Sequence, residues 1–155
     1  MGEDADQQRA DGEGRYTQPP TKRTRAVYLA GRFSHHAQLQ QRADELAALG
    51  YIDVTSTWLS GNTTAHDFPN LEEHWADARR VAAEDFLDVM SADLVILFTD
   101  DSEVPSRGGR MVEFGIALAL RKDVWIVGPR ENIFCFLPRV RQFKDWAGAL
   151  AALTY

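Results

Sequence analysis

Short, wholly apolar runs separated by segments of helical spacing constrain this chain more than any other feature. Ala26-Val-Tyr-Leu-Ala30, Leu94-Val-Ile-Leu-Phe98 and the stretch from Asp123 to Gly128 carry almost nothing for solvent on either side. A strand that is apolar on both faces must be covered on both, the setting of a parallel sheet. Between these runs, Leu39, Ala43, Leu46, Ala47 and Leu49 recur at helical spacing before Gly50. Tyr51 to Leu59 puts Ile52, Val54, Ser56 and Trp58 on one side and reads as a second strand. Leu71, Trp75, Ala78, Ala82, Phe86 and Val89 mark a helical face over 71–91. Arg110 to Arg121 is apolar almost all round, which predicts a buried helix, and Gln142 to Leu153 predicts a final one. With right-handed crossovers, this alternation gives a doubly wound α/β fold, flavodoxin- or Rossmann-like. It should hold four or five parallel strands with helices on both faces. Ligands in such folds sit beyond the carboxyl ends of the strands. The loops after Ala30, Leu59 and Phe98 are therefore the expected site.

Residues 1–25 hold Gln7-Gln8, Gly12, Gly14, Pro19-Pro20 and alternating charges, with little to bury, and are expected to be a disordered tail. Residues 26–155 are expected to form a single domain, since 155 residues suffice for one core but not comfortably for two. The net charge is −6, and the five acids and five bases of the tail cancel, so the deficit lies in the domain. That charge argues against a nucleic acid polymer as partner, because such binding rests on basic neutralisation of phosphates. One small phosphate needs only local donors. No apolar run approaches the roughly 18 residues of a membrane span, and Met1 to Asp11 do not form a secretory leader, which gives a cytoplasmic expectation. Cys135 stands alone between Phe134 and Phe136, so neither an intrachain disulfide nor a cysteine zinc cluster is possible, and a small buried hydrophobe is expected. The loop from Ser60 to Asn70 is long and rich in Gly, Asn, Thr and Pro, a candidate lid.

Candidate chemistry gathers at the expected ligand edge. Ser106-Arg-Gly-Gly109-Arg-Met-Val-Glu113 opens the buried helix after the third strand. Its glycines allow close approach to the backbone, and a helix start favours negative charge. Glu113 has Met111, Val112, Phe114 and Ile116 around it, so desolvation should raise its pKa. An acid in the first turn of a helix also simply complements the macrodipole, so both readings stand on spacing alone. Asp85 borders the apolar face of its helix and can lean toward the sheet, whereas Asp88 reads as part of a solvated face. Tyr28 lies inside the first strand, where a buried hydroxyl needs a partner. Arg32, Phe33 and Ser34 follow at that strand's end and Trp58 ends the second, placed to line a pocket. Phosphate-loop, dinucleotide, zinc-protease and nucleophile-elbow signatures are missing, and adjacent His35-His36 make a poor metal pair.

The order and spacing of three segments resemble the nucleoside 2-deoxyribosyltransferase family, which includes nucleotide N-glycosidases. They are Val27-Tyr-Leu-Ala-Gly31, Asp85 eight residues before the Asp93 of Ala92-Asp-Leu-Val-Ile96, and Gly109-Arg-Met-Val-Glu113-Phe-Gly-Ile-Ala-Leu118 followed by Lys122-Asp-Val124. The resemblance implies cleavage of the N-glycosidic bond of a (2′-deoxy)nucleoside or its 5′-monophosphate, with transfer to another base or to water. It implies Glu113 as nucleophile, Asp85 as the carboxylate that handles protons or holds substrate, and Tyr28 as the group orienting Glu113. Substrate contacts are expected at Gly31, Arg32, Phe33, Trp58 and Gly109, and the resemblance adds Ser106 with Arg107 as rival; Arg32 departs from the family's pattern, so base and phosphate specificity do not carry over. The resemblance also implies a homodimer or higher homo-oligomer in which the 131–134 segment, Asn132 included, completes a neighbour's pocket. No metal or cofactor is implied. A non-catalytic nucleotide sensor and an NAD-type glycohydrolase are the alternatives.

Overall fold

The computed structural model describes residues 23–60 and 68–155. Most of the expected tail, and the greater part of the expected lid, lie outside these residues. Five strands form one parallel sheet in the order β2-β1-β3-β4-β5: β1 (Arg25–Ala30), β2 (Ile52–Val54), β3 (Leu94–Phe98), β4 (Asp123–Val127) and β5 (Val140–Phe143). Four helices connect or follow them: α1 (His36–Ala47), α2 (Trp75–Ser91), α3 (Gly109–Ala119) and α4 (Trp146–Thr154). The expected doubly wound α/β fold is thus the observed one. Among the described residues no helix is long and apolar enough to cross a membrane.

The apolar runs became the inner strands for the reason the sequence gives. Every residue from Val27 to Ala30 and from Leu94 to Leu97 is essentially inaccessible, with helices above and below. Leu39, Ala43 and Leu46 bury the inner face of α1, and Trp146 of α4 donates its indole N–H to Glu45 of α1, so these two helices share one side of the sheet. The other two helices cover the opposite side.

Five expectations need correction. The second strand does not run to Leu59 but stops at Val54, and Thr57–Leu59 form a short 3-10 turn. The cause is local. Ser56 Oγ accepts from Leu29 N–H at 2.6 Å, and Trp58 Nε1 donates to Leu29 C=O at 3.1 Å, so two side chains satisfy β1 where a neighbouring strand would have done so. The face of α2 was chosen by size rather than by position: Trp75 is 60% exposed and Phe86 46%. Its inward line runs instead through Ala78, Val81, Asp85 and Val89 and includes an acid, because this helix covers a cavity as well as a sheet. Helix α3 is not buried all round, since Val112 is exposed, as is Leu120 just past its end. Residues 140–143, partly assigned to the last helix, form β5, and the helix starts at Trp146 with Asp145 accepting from Gly148 N–H at 2.9 Å as its cap. Finally, β1 begins at Arg25, one residue inside the expected tail.

Candidate functional site

A cavity of about 630 Å³ opens at the carboxyl ends of β1 and β3. Residues 31–34 after β1, Trp58 after β2, the 104–109 loop after β3, the inward side of α2, and Arg110 and Glu113 of α3 enclose it. The loops after Ala30 and Phe98 are two of the three expected from a parallel sheet, and most of the third, after Leu59, lies outside the described residues. Gly31 is needed for packing: a Cβ there would lie 2.4 Å from Leu39 Cδ1. Gly108 has φ +82°, the left-handed conformation through which the loop turns into α3, and this favours glycine.

Glu113 is the fifth residue of α3, so the first-turn macrodipole explanation no longer accounts for it. Tyr28, fully buried on β1, donates its hydroxyl to Glu113 Oε1 at 2.9 Å. The Glu113 carboxyl titrates at about 8, raised mainly by loss of solvent. The Tyr28 hydrogen bond pulls it down and the nearby charge of Asp85 pushes it up. Tyr28 is itself held well above the usual phenol range, first by burial and then by the charges of Glu113 and Asp85. Three groups from β1, α2 and α3 therefore share one electrostatic unit, with Asp85 and Glu113 on the cavity wall and Tyr28 buried behind Glu113. Because the tyrosine hydroxyl favours the ionised carboxylate, Tyr28→Phe should move the Glu113 titration to still higher pH. Following the carboxyl carbon by NMR against pH checks this, and an unchanged midpoint would show that the hydroxyl does not act on Glu113.

Gly31, Arg32, Phe33, Trp58, Ser106 and Gly109, all expected contacts, line the cavity, as does the rival Arg107. Arg32 does not project as a free cation: its Nε pairs with Asp100 at 3.0 Å and its Nη1 donates to Val104 C=O at 2.7 Å, holding the 100–104 loop to β1. Arg107 donates to the carbonyls of Phe68 and Pro69 and so ties the two rims of the opening. Asn132 is not brought to this cavity. Its carbonyl oxygen caps the 3-10 turn Ile133–Phe136 by accepting from Phe134 N–H at 2.9 Å, and its amide meets Met111 Sδ at 3.5 Å.

Sequence reading missed Arg110. Its guanidinium is almost completely buried, grips both oxygens of Glu131 at 2.8 and 2.6 Å, and donates to Ser106 Oγ at 3.0 Å. One signal was available: Arg110 stands three residues before Glu113 and four before Phe114, on the inward face of a helix that otherwise buries apolar groups.

The sequence model of the family described as nucleoside 2-deoxyribosyltransferase matches residues 27–142. Among solved structures, a CMP N-glycosidase from Clostridium botulinum aligns with a TM-score of 0.53 at 16% identity, covering 84% of this chain and all of that one. At that identity the likeness is one of fold. None of the curated proteins matches the chain.

Proposed function

The chain belongs to the nucleoside 2-deoxyribosyltransferase family, and from that premise we propose that it cleaves the N-glycosidic bond of a (2′-deoxy)nucleoside or its 5′-monophosphate. The observation that carries the proposal is Glu113, desolvated, hydrogen-bonded to Tyr28, electrostatically coupled to Asp85 and facing a cavity. Breaking a sugar–base bond develops positive charge on the ring, and a carboxylate placed at the anomeric carbon captures or stabilises it, as in retaining glycosidases. In the resting site Glu113 holds a proton at neutral pH. Its ionised form is the nucleophile, and Tyr28 steadies that form. Asp85 assists departure of the base or holds the sugar. Phe33 and Trp58 supply aromatic surface for the base. Residues 25–155 would act as the catalytic unit, with the preceding residues as an appended tail.

Chromatography of a panel of nucleosides and 5′-monophosphates, with and without an added acceptor base, tests the reading. Free base indicates hydrolysis, base exchange indicates transfer, and dependence on phosphate fixes the substrate class. Binding without any base release would leave the nucleotide-sensor alternative in its place.

The same reading includes a homo-oligomer. Leu87 and Met90 of α2, Val112 of α3, Leu120 just after it, and Ile133, Phe134 and Phe136 of the turn after β4 are exposed apolar side chains. Ile133 is 78% exposed, more surface than an isolated domain usefully leaves in water. A twofold pairing of like faces would cover them and bring the turn holding Asn132 toward a neighbour. Sedimentation should show a dimer, and a Leu87→Glu/Phe134→Glu variant a monomer; a monomeric native protein would remove this part of the proposal.

A further inference from the structure

Asp88 lies on α2 three residues beyond Asp85, so the two carboxylates leave the same side of one helix about a turn apart. Asp85 lines the cavity, whereas Asp88 does not. Asp88 Oδ2 instead accepts two hydrogen bonds from Thr57, from the backbone N–H at 2.9 Å and from the hydroxyl at 2.6 Å. Thr57 is the first residue of the 3-10 turn whose second residue is Trp58. Thr55 Oγ1 adds a further tie, donating to the Asp88 carbonyl at 3.1 Å. The turn has no side-chain cap of its own at Ser56, whose hydroxyl is committed to Leu29. The Asp88 carboxylate supplies that anchor from another element.

The indole held by this turn is a cavity wall. Trp58 is 4% exposed, lies with its ring centre 6.4 Å from that of Phe33 and 5.6 Å from that of His36, and is fixed at its nitrogen by Leu29 C=O. Leu29 is the chain neighbour of Tyr28. One end of the Trp58 turn is therefore tied to the strand carrying Tyr28, and the other to the helix carrying Asp85. We infer that Asp88 is a positioning residue, which through Thr57 holds Trp58 in place as the wall that shapes the substrate cavity. The inference rests on the proposed function for the identity of the ligand, but the hold on Trp58 does not depend on it.

A cavity wall remote from the reacting bond serves the bound substrate and the transition state nearly alike, so its displacement shows in KM rather than in kcat. For the nucleotide or nucleoside from which the native enzyme releases base, Asp88→Ala should raise KM about tenfold and change kcat less than about twofold. Asp88→Asn keeps an oxygen acceptor for Thr57 and should recover most of the native KM. Thr57→Val, which loses the hydroxyl bond but keeps α2 intact, should fall between and carries the test if Asp88→Ala fails to fold. The indole N–H signal of Trp58, assigned with Trp58→Phe, should shift and lose exchange protection in Asp88→Ala. Unchanged KM with an unmoved indole signal overturns the inference, as does an Asp88→Asn enzyme as impaired as Asp88→Ala. If the native protein releases no base from any substrate, the proposed function fails, and the indole signal still decides the role of Asp88: a shift supports it and no shift overturns it.

Discussion

Glu113→Gln should reduce base release by on the order of 10²–10⁴ while leaving the protein folded. Gln keeps the size of the side chain and an oxygen to accept from Tyr28, but it can neither ionise nor attack. The native protein should also show a rise of kcat/KM with pH toward a shoulder near 8, because the nucleophile must lose the proton that burial makes it keep. Stability should run the opposite way. Between the ordinary carboxyl range and about 8 the folded state holds a proton on Glu113 that the unfolded chain has released. The free energy of unfolding therefore falls as pH rises across that window, and the full penalty is present above it. Glu113→Gln lacks this slope, so it should match the native protein near pH 4 and exceed it in stability near pH 9, measured by urea denaturation. A variant with native turnover would remove Glu113 from the chemistry. A variant with native pH dependence of stability would show that its carboxyl is not desolvated.

Arg110→Met should cost about 3–5 kcal/mol of stability, the range for removing one partner of a buried ion pair. The guanidinium binds both Glu131 oxygens and Ser106, while Glu131 Oε1 also accepts from Asp100 N–H at 3.1 Å. One residue thereby ties the 99–109 loop, α3 and the segment after β4. Cutting it leaves Glu131 without its cation and loosens the loop that carries Ser106 beside the cavity. Pairing the change with Glu131→Gln removes the stranded charge, so the double variant should recover part of the loss. Chemical denaturation of both proteins reads the effect, and a loss below about 1 kcal/mol for Arg110→Met would mean that the pair contributes no more than a surface one.

The parallel sheet and the position of the site were legible because they depend on hydrophobic periodicity, which is a property of sequence. The runs at 26–30 and 94–98 have one physical solution, and the loops after them must lie at the ligand edge. Glu113 was visible for a similar reason: an acid among apolar neighbours in such a helix stands out. What stayed hidden depends on partners distant in the chain. Trp58 was seen as a strand residue because nothing local reveals that Leu29, 29 residues earlier, would be satisfied by its indole. Asp88 read as a surface acid because its partner Thr57 lies 31 residues away. Arg110 was passed over because Glu131, 21 residues on, is what makes its burial tolerable. On α2, Trp75 and Phe86 are on the outside while Ala78 and Val89 of the expected face do turn inward, so hydrophobicity gave that face only in part.

The early end of β2 has a consequence for what can reach the sheet. Past Val54, the flank of the first strand would otherwise present bare amide and carbonyl groups, the kind of margin on which an extended peptide docks and chains aggregate. Ser56 and Trp58 occupy those groups at Leu29. The notch that makes space for a small molecule is thereby closed to an invading polypeptide, and the same indole that borders the opening also guards it.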